Sequence, residues 1–405
     1  MINTFSKTKY IYCLVALVAT VIRTYFIIFF PESGGDGQTY AKVAENILAG
    51  CGVAINDLSD TECVPHFGGN QGPGYPAFIA LVWALSGHSD LAVRLVQVSF
   101  YIASILYIVD AIYRYTASEK QAMIVGLVLA LSPLHLAWPR FFFAETLALA
   151  ATLWLFAELI KSLQLSNLRI LPIGIALIVA TFIRLDAVLL LVPVAVTGFI
   201  IHRPFTALKK GLVIALILFL PWTGWLVRNV AVGLDSVFSP LSVEQNREAE
   251  GLYRWENTWS TNVYTSSAIH FPTGSRAYDK IVIDEDAFIS NSEKKRVKTL
   301  LSELKQYVGE PFPKHIDEQF AFLATTRIQD DRLSYLLFKP IRRVFSLWLN
   351  LNAGMGWPGF SDKLSYKKRI ELASGGLWAK VLLLKKYPVI VAGKIIDNDE
   401  YIHLF

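Results

Sequence analysis

Residues 11–30 read IYCLVALVATVIRTYFIIFF, an apolar run broken by a single charge at Arg23. A helix rises about 1.5 Å per residue, so a run of this length crosses the roughly 30 Å hydrocarbon core of a bilayer. The same reading applies to 91–112, 121–139, 141–160, 170–184, 187–202 and 211–229, with the fifth and sixth of the seven spans short and nearly fused through Arg184-Leu185-Asp186. Segment 74–87, GYPAFIALVWALSG, is too short to span and is expected as an interfacial or re-entrant helix. Over 405 residues the chain is 54% hydrophobic and only 18% charged, with a mean hydropathy of +0.43. Soluble domains carry about a quarter charged residues, so a soluble enzyme is excluded. An aromatic content of 13% and three cysteines exclude disorder and a disulfide scaffold. A net charge of +5 is small for this length and gives no reason to expect nucleic acid as a partner. The fold class expected is an all-α polytopic membrane protein.

Sidedness follows from the basic residues in the short connections. With the N-terminus inside, the inner connections hold Lys7 and Lys9, Arg114 and Lys120, Lys161 and Arg169, then Arg203, Lys209 and Lys210. Loop 31–90 holds one base, Lys42, against Glu32, Asp36, Glu45, Asp57, Asp60, Glu62 and Asp90. That loop and the chain after 229 are therefore expected on the outer face of a bacterial inner membrane, or in a lumen. No small-residue cleavage site follows the first span, which reads as a retained anchor and not a signal peptide. Arg23 within it is either a structural pair to a neighbouring helix or a functional group. The transmembrane domain is expected over 1–229 and a smaller mixed exoplasmic region over 230–405. Helices are expected there near 287–308 and 315–349, the second carrying Phe320, Leu323, Leu333, Leu336 and Leu337 at helical spacing. Segment 377–395 is apolar but holds Lys380, Lys385, Lys386 and Pro388, and is expected as an interfacial helix. No internal repeat is visible.

The first outer loop carries the chemistry. In GGDGQTYAKVAENILAG, residues 34–50, the positions Tyr40, Val43, Ala44, Ile47 and Leu48 form one apolar helical face, as in a helix lying on a membrane surface. Asp36 opens that helix, where a carboxylate is favoured by the helix dipole and by free backbone N–H groups. Capping is one reading of Asp36 and catalysis is the other.

Asp36 with Tyr40, then Ala44, Asn46 and the Gly50–Gly52 pair, resembles the first exoplasmic loop of C-type (GT-C) membrane glycosyltransferases. The nearest likeness is to bacterial relatives of protein O-mannosyltransferases and of the lipid A aminoarabinose transferase (glycosyltransferase family 39-like). It continues in Gly72-Pro73-Gly74-Tyr75-Pro76, in Ala92 to Gln97, in Ser132-Pro133, in Phe143-Ala144-Glu145-Thr146, and in Pro221-Trp222 with Arg228-Asn229. The resemblance implies a GT-C helical bundle that moves a sugar from a polyprenyl-phosphate donor to an acceptor hydroxyl on the outer face, usually with inversion. The acceptor would be a cell-envelope glycolipid, a polysaccharide or a protein. Asp36 takes the position of the family's general base. Many relatives place a second acid directly after it, and here that residue is Gly37.

The donor phosphate calls for positive charge near the outer boundary, and arginine suits it because its planar fork grips phosphate bidentately. The candidates are Arg94, Arg228, Arg140 and Arg184, plus Lys42, with Arg94 and Arg228 ranked first because they lie in the matching motifs. Each also has a plain reading as a headgroup anchor. Tyr40, Tyr75 and Glu145 are expected in support, with Glu145 needing an arginine such as Arg140 or Arg94 and Asp186 forming a local pair with Arg184. A lipid phosphate is already a competent leaving group, so no cofactor is expected. The cluster Asp57, Asp60, Glu62 and His66 lacks metal-ligand spacing and reads as a solvated acidic loop. An oxidising compartment favours a Cys51–Cys63 disulfide. Tyr253-Arg254-Trp255 with Trp259 reads as a sugar-stacking platform or as an interfacial aromatic belt. The competing functions are a polyprenyl-lipid or polysaccharide transporter, for which repeats are expected, and an inactive scaffold of an envelope complex.

Overall fold

A computed structural model describes residues 2–29, 31, 36–55, 63–66, 72–136, 138–234, 249–261 and 263–349, and the strand residues 390–391, 394–397 and 400–403. Two units divide the chain, Met1–Pro240 and Leu241–Phe405.

The first unit is helical: α1 (Ile2–Phe29), α2 (Asp36–Leu48), α3 (Gly74–Ser86), α4 (Asp90–Thr116), α5 (Glu119–Leu131), the short α6 (Pro133–Leu136), α7 (Glu145–Gln164), α8 (Ile170–Ile183), α9 (Leu191–Ile201) and α10 (Pro204–Ala231). Serine N-caps fix two of the starts: Ser89 accepts from the Ala92 N–H and Ser118 from the Gln121 N–H. Among the described residues, four helices are long and apolar enough to cross a membrane: Tyr10–Phe29, Asp90–Thr116, Glu145–Gln164 and Pro204–Ala231. The fifth and sixth expected spans are the shorter α8 and the segment Leu185–Ile201, whose first turns are 3-10 helix.

The third expected span, 121–139, is not one helix. It stops at Leu131, because Pro133 lacks the N–H that would continue the ladder. The carbonyls freed inside the apolar layer find donors from neighbouring helices. The Arg23 guanidinium donates to Ala130 O at 2.8 Å and Leu129 O at 3.2 Å, and the Tyr101 hydroxyl donates to Leu129 O at 3.1 Å. Arg23 is fully buried and lies over the Tyr101 ring. The structural reading of Arg23 is thereby the observed one. Glu158 of α7, also buried, accepts from the Tyr107 hydroxyl and pairs with Arg169 at 2.6 Å. Charge inside the membrane unit is thus tied to a specific donor.

The second unit contains α11 (Glu250–Glu256), α12 (Val263–Gly274), α13 (Asn291–Leu304), α14 (Lys314–Asp330), a π-helical turn at Ser334–Phe338 and α15 (Lys339–Leu349). Both expected helical stretches are present, the second broken at Asp331. The core joins Trp255, Phe320, Ile269, Val297, Leu300 and Leu304. Trp255 is fully buried with its indole N–H on Glu293 at 2.8 Å, so it is neither a sugar platform nor part of an interfacial belt. Glu293 pairs with Arg327 at 2.7 Å, and Arg327 also donates to Ala287 O and Thr258 Oγ1. Near the C-terminus β1 (Ile390–Val391), β2 (Lys394–Asp397) and β3 (Glu400–His403) form an antiparallel meander, with Ile395 opposite Ile402. The described part of 377–395 is therefore strand where an interfacial helix was expected; the rest of that segment lies outside the described residues.

Candidate active site

The site forms where the start of α2, the start of α7 and the end of α8 meet. Asp36 is the first residue of α2 and is exposed. Tyr40 follows one turn later on the same face, buried and edge-on to Tyr75 at 5.1 Å between ring centres. Gly37, next to Asp36, is closely packed. A Cβ there would lie 3.2 Å from both Cβ and the carbonyl oxygen of Phe142, so α2 packs directly on the residue three positions before Glu145. Glu145 is the first residue of α7 and sits within electrostatic range of Asp36 and Tyr40.

Arg184 completes the group. Its guanidinium donates to Glu145 at 2.8 Å and to both Asp186 oxygens at 2.8 and 3.1 Å. The partner of Glu145 is therefore Arg184, not the expected Arg140 or Arg94, while the local pair with Asp186 is present. Arg184 is set by its backbone. Gly72 and Gly74 bring the start of α3 onto Phe182, where a Cβ on Gly74 would lie 2.6 Å from the Phe182 carbonyl oxygen. Gly72 has φ +142°, a conformation few other residues adopt. The Gly-Pro-Gly motif thus has a steric reason: it locks α3 against the residue two before Arg184. From the other side the Trp222 indole N–H donates to Thr181 Oγ1 at 3.0 Å.

Of the other expected residues, Tyr75 and Arg94 pack beside this group and Arg228 does not. Gln97, fully buried, accepts from the Tyr75 hydroxyl at 3.0 Å and donates to Pro139 O and Phe141 O at 3.0 and 3.2 Å. Arg94 Nε donates to Arg140 O at 2.9 Å, and its guanidinium lies over Phe142. Arg94 and Gln97 together grip the segment that leads into Glu145. Arg140 is buried with its guanidinium over Phe141. Arg228, the other first-ranked candidate, lies in a different place. It donates to Val53 O at 2.6 Å and His66 O at 2.9 Å, clamping the loop that the Cys51–Cys63 disulfide closes and the Ala54–Pro65 bridge zips. Lys42 is half-buried on α2, where its carbonyl accepts from the Asn46 side chain. Asp57, Asp60 and Glu62 lie outside the described residues; among the described residues no group of three or more His, Cys, Asp or Glu side chains is placed to hold a metal.

Electrostatics follow from this packing. Burial, then the charges of Asp36 and Glu145, push the Tyr40 hydroxyl above the usual phenol range against the opposing pull of Arg184. Tyr75 is raised in the same sense, first by burial and then by Glu145. Both phenols therefore stay protonated, as hydrogen-bond donors and not bases. His66 is lowered by burial and by the Arg228 charge beside it.

An exposed carboxylate at a helix start, a second one beside it and a guanidinium that pairs with the second thus stand together in the first unit. Residues 70–225 match the model of the family described as dolichyl-phosphate-mannose-protein mannosyltransferase. The match covers less than half of the chain and supports the GT-C superfamily, and the apolar helices make the chain a multi-pass membrane protein. The matched segment contains Arg94, Arg140, Glu145 and Arg184; Asp36 and Arg228 lie outside it. No curated protein and no solved structure matches the chain significantly.

Proposed function

We propose that this enzyme moves a sugar from a polyprenyl-phosphate donor to an acceptor hydroxyl on the outer face of the membrane, with inversion at the anomeric carbon. The observation that carries the reading is the gathering of Asp36, Glu145 and Arg184 around Tyr40. In the reaction, the acceptor hydroxyl gives its proton to the Asp36 carboxylate as its oxygen bonds to the anomeric carbon. The bond from that carbon to the phosphate oxygen breaks, and the electron pair leaves with the lipid phosphate. Arg184 takes up the developing charge, exchanging Asp186 for phosphate while Glu145 holds its other edge. Arg94 and Gln97 act as positioning residues. The lipid-phosphate donor and a hexose-class sugar accord with the family description, and the basic inner connections favour a cytoplasmic N-terminus in a bacterial inner membrane. The acceptor is an envelope glycolipid, a polysaccharide or a protein.

The test compares envelope glycans by mass spectrometry in a deletion strain, in that strain carrying the wild type, and in that strain carrying Asp36→Asn at equal membrane level. One sugar-sized mass is expected to vanish on deletion and return only with the wild type, the variant transferring about 100- to 10,000-fold more slowly. Full restoration by Asp36→Asn would refute the assignment of the base.

A further inference from the structure

Residues 332–344 reverse the ordinary logic of an amphipathic helix. In a helix packed on a water-soluble domain, the apolar stripe faces the core and the charges face out. Here Leu333, Leu336, Leu337, Phe338, Ile341 and Val344 are 43 to 62% exposed. The polar side is the one turned to the domain. Arg343 of α15 donates to Ser260 O at 3.0 Å and Asn257 O at 2.5 Å, just past the end of α11, and Lys339 is half-buried on the same side. The exposed positions 333, 337, 341 and 344 recur at intervals of three and four, which makes one continuous stripe. The stretch 332–349 contains Arg332, Lys339, Arg342 and Arg343 and no acidic residue.

An apolar stripe that points away from its own domain calls for an apolar phase outside it, and basic residues with no acids among them call for anionic charge at the edge of that phase. A bilayer surface bearing phosphate headgroups supplies both. A second copy of this stripe would meet the leucines but would set Arg332 and Arg342 against like charge. The chain is a multi-pass membrane protein, so a bilayer is always within its reach. We propose that this helix docks the second unit on the membrane surface, with Leu333, Leu337 and Ile341 at the acyl boundary and Arg332 and Arg342 on anionic headgroups. The proposal does not rest on the transfer reaction.

Full-length protein tests it directly. In a Cys13→Ala background, which keeps the Cys51–Cys63 disulfide, a nitroxide is attached at Leu337→Cys or, as an exposed control on α13, at Thr299→Cys. The protein is placed in phosphatidylcholine vesicles with or without phosphatidylglycerol, and relaxation by oxygen is compared with relaxation by a water-soluble nickel chelate. With phosphatidylglycerol, oxygen should dominate at 337 and nickel at 299. Arg332→Gln with Arg342→Gln, or high salt, should shift 337 toward nickel. Equal nickel access at 337 and 299 would overturn the proposal, as would dipolar coupling between 337 labels of two copies. Identical insertion in neutral vesicles would overturn the role of the arginines.

Discussion

Arg184 and Arg327 each hold a glutamate at nearly the same distance, 2.8 and 2.7 Å, and do different things with it. Arg327 and Glu293 are 6 and 7% exposed, and they also bond to the Trp255 indole, Thr258, the Ile289 N–H and the Ala287 carbonyl. Arg184 and Glu145 are 23 and 36% exposed, and beside them stand Asp36, Tyr40 and the more exposed Asp186. The first pair is closed, with its bonds turned to fixed protein groups. The second is open on one side, with the exposed Asp186 carboxylate on Arg184, which the proposed reaction exchanges for the donor phosphate. An ion pair marks a site by the company it keeps and by its access, not by its own geometry.

Substitutions separate the two. Arg184→Met should lower transfer by about 100- to 1,000-fold, the usual loss for removing a group that stabilises developing charge. It should change stability by only about 1 kcal/mol or less, since the pair is partly solvated. Arg327→Met should do the reverse. Stranding Glu293 in the core costs about 3–5 kcal/mol, read as faster hydrogen exchange over α11, α13 and α14 of the intact protein, and adding Glu293→Leu should recover much of it. Loss of activity without loss of protection at 184, and the opposite at 327, keeps the comparison; the same outcome at both sites breaks it.

A third arginine sharpens it. Arg228, ranked first with Arg94 for the donor phosphate from sequence, clamps the disulfide-closed loop. Arg228→Gln should raise exchange and protease cutting at 51–66 while the KM for donor lipid changes less than in Arg184→Met. The smallest effect is that of pH on the same loop. The folded His66 titrates below its ordinary value of about 6.5, so as pH falls the unfolded chain takes up the proton first. The stabilisation is complete above about 6.5 and declines as pH falls toward the folded value, by at most about 1.4 kcal/mol per pH unit. Thermal unfolding between pH 7.5 and 5.5 should show that slope in the wild type and lose it in His66→Gln.

Much of the fold was legible because apolar run length is a local property. The helices α1, α4, α7 and α10 follow from it directly. The break in α5 was written in Ser132-Pro133, but hydropathy continues through the proline and hides it. Within the site, Asp36 and Tyr40 could be read from one helical face. The choice among arginines could not, because sequence gives the depth of a side chain and not its direction. Arg94 and Arg140 face aromatic rings, and Arg228 faces a loop closed by residues some 160 to 175 positions earlier. Trp255 misled for a similar reason: its partner Glu293 is 38 residues away, so its aromatic neighbours in sequence suggested a surface it does not have.

The arginine in the first helix has a consequence for how the chain is made. Arg23 bonds to a carbonyl 107 residues further on. During synthesis it enters the bilayer before that partner exists, and with Tyr101 it supplies the donors at the cut end of α5. A chain whose N-terminal helix is replaced by a neutral anchor of equal length should insert its later spans yet leave the Ala130 carbonyl without the Arg23 donor and α5 more open to membrane quality-control proteolysis.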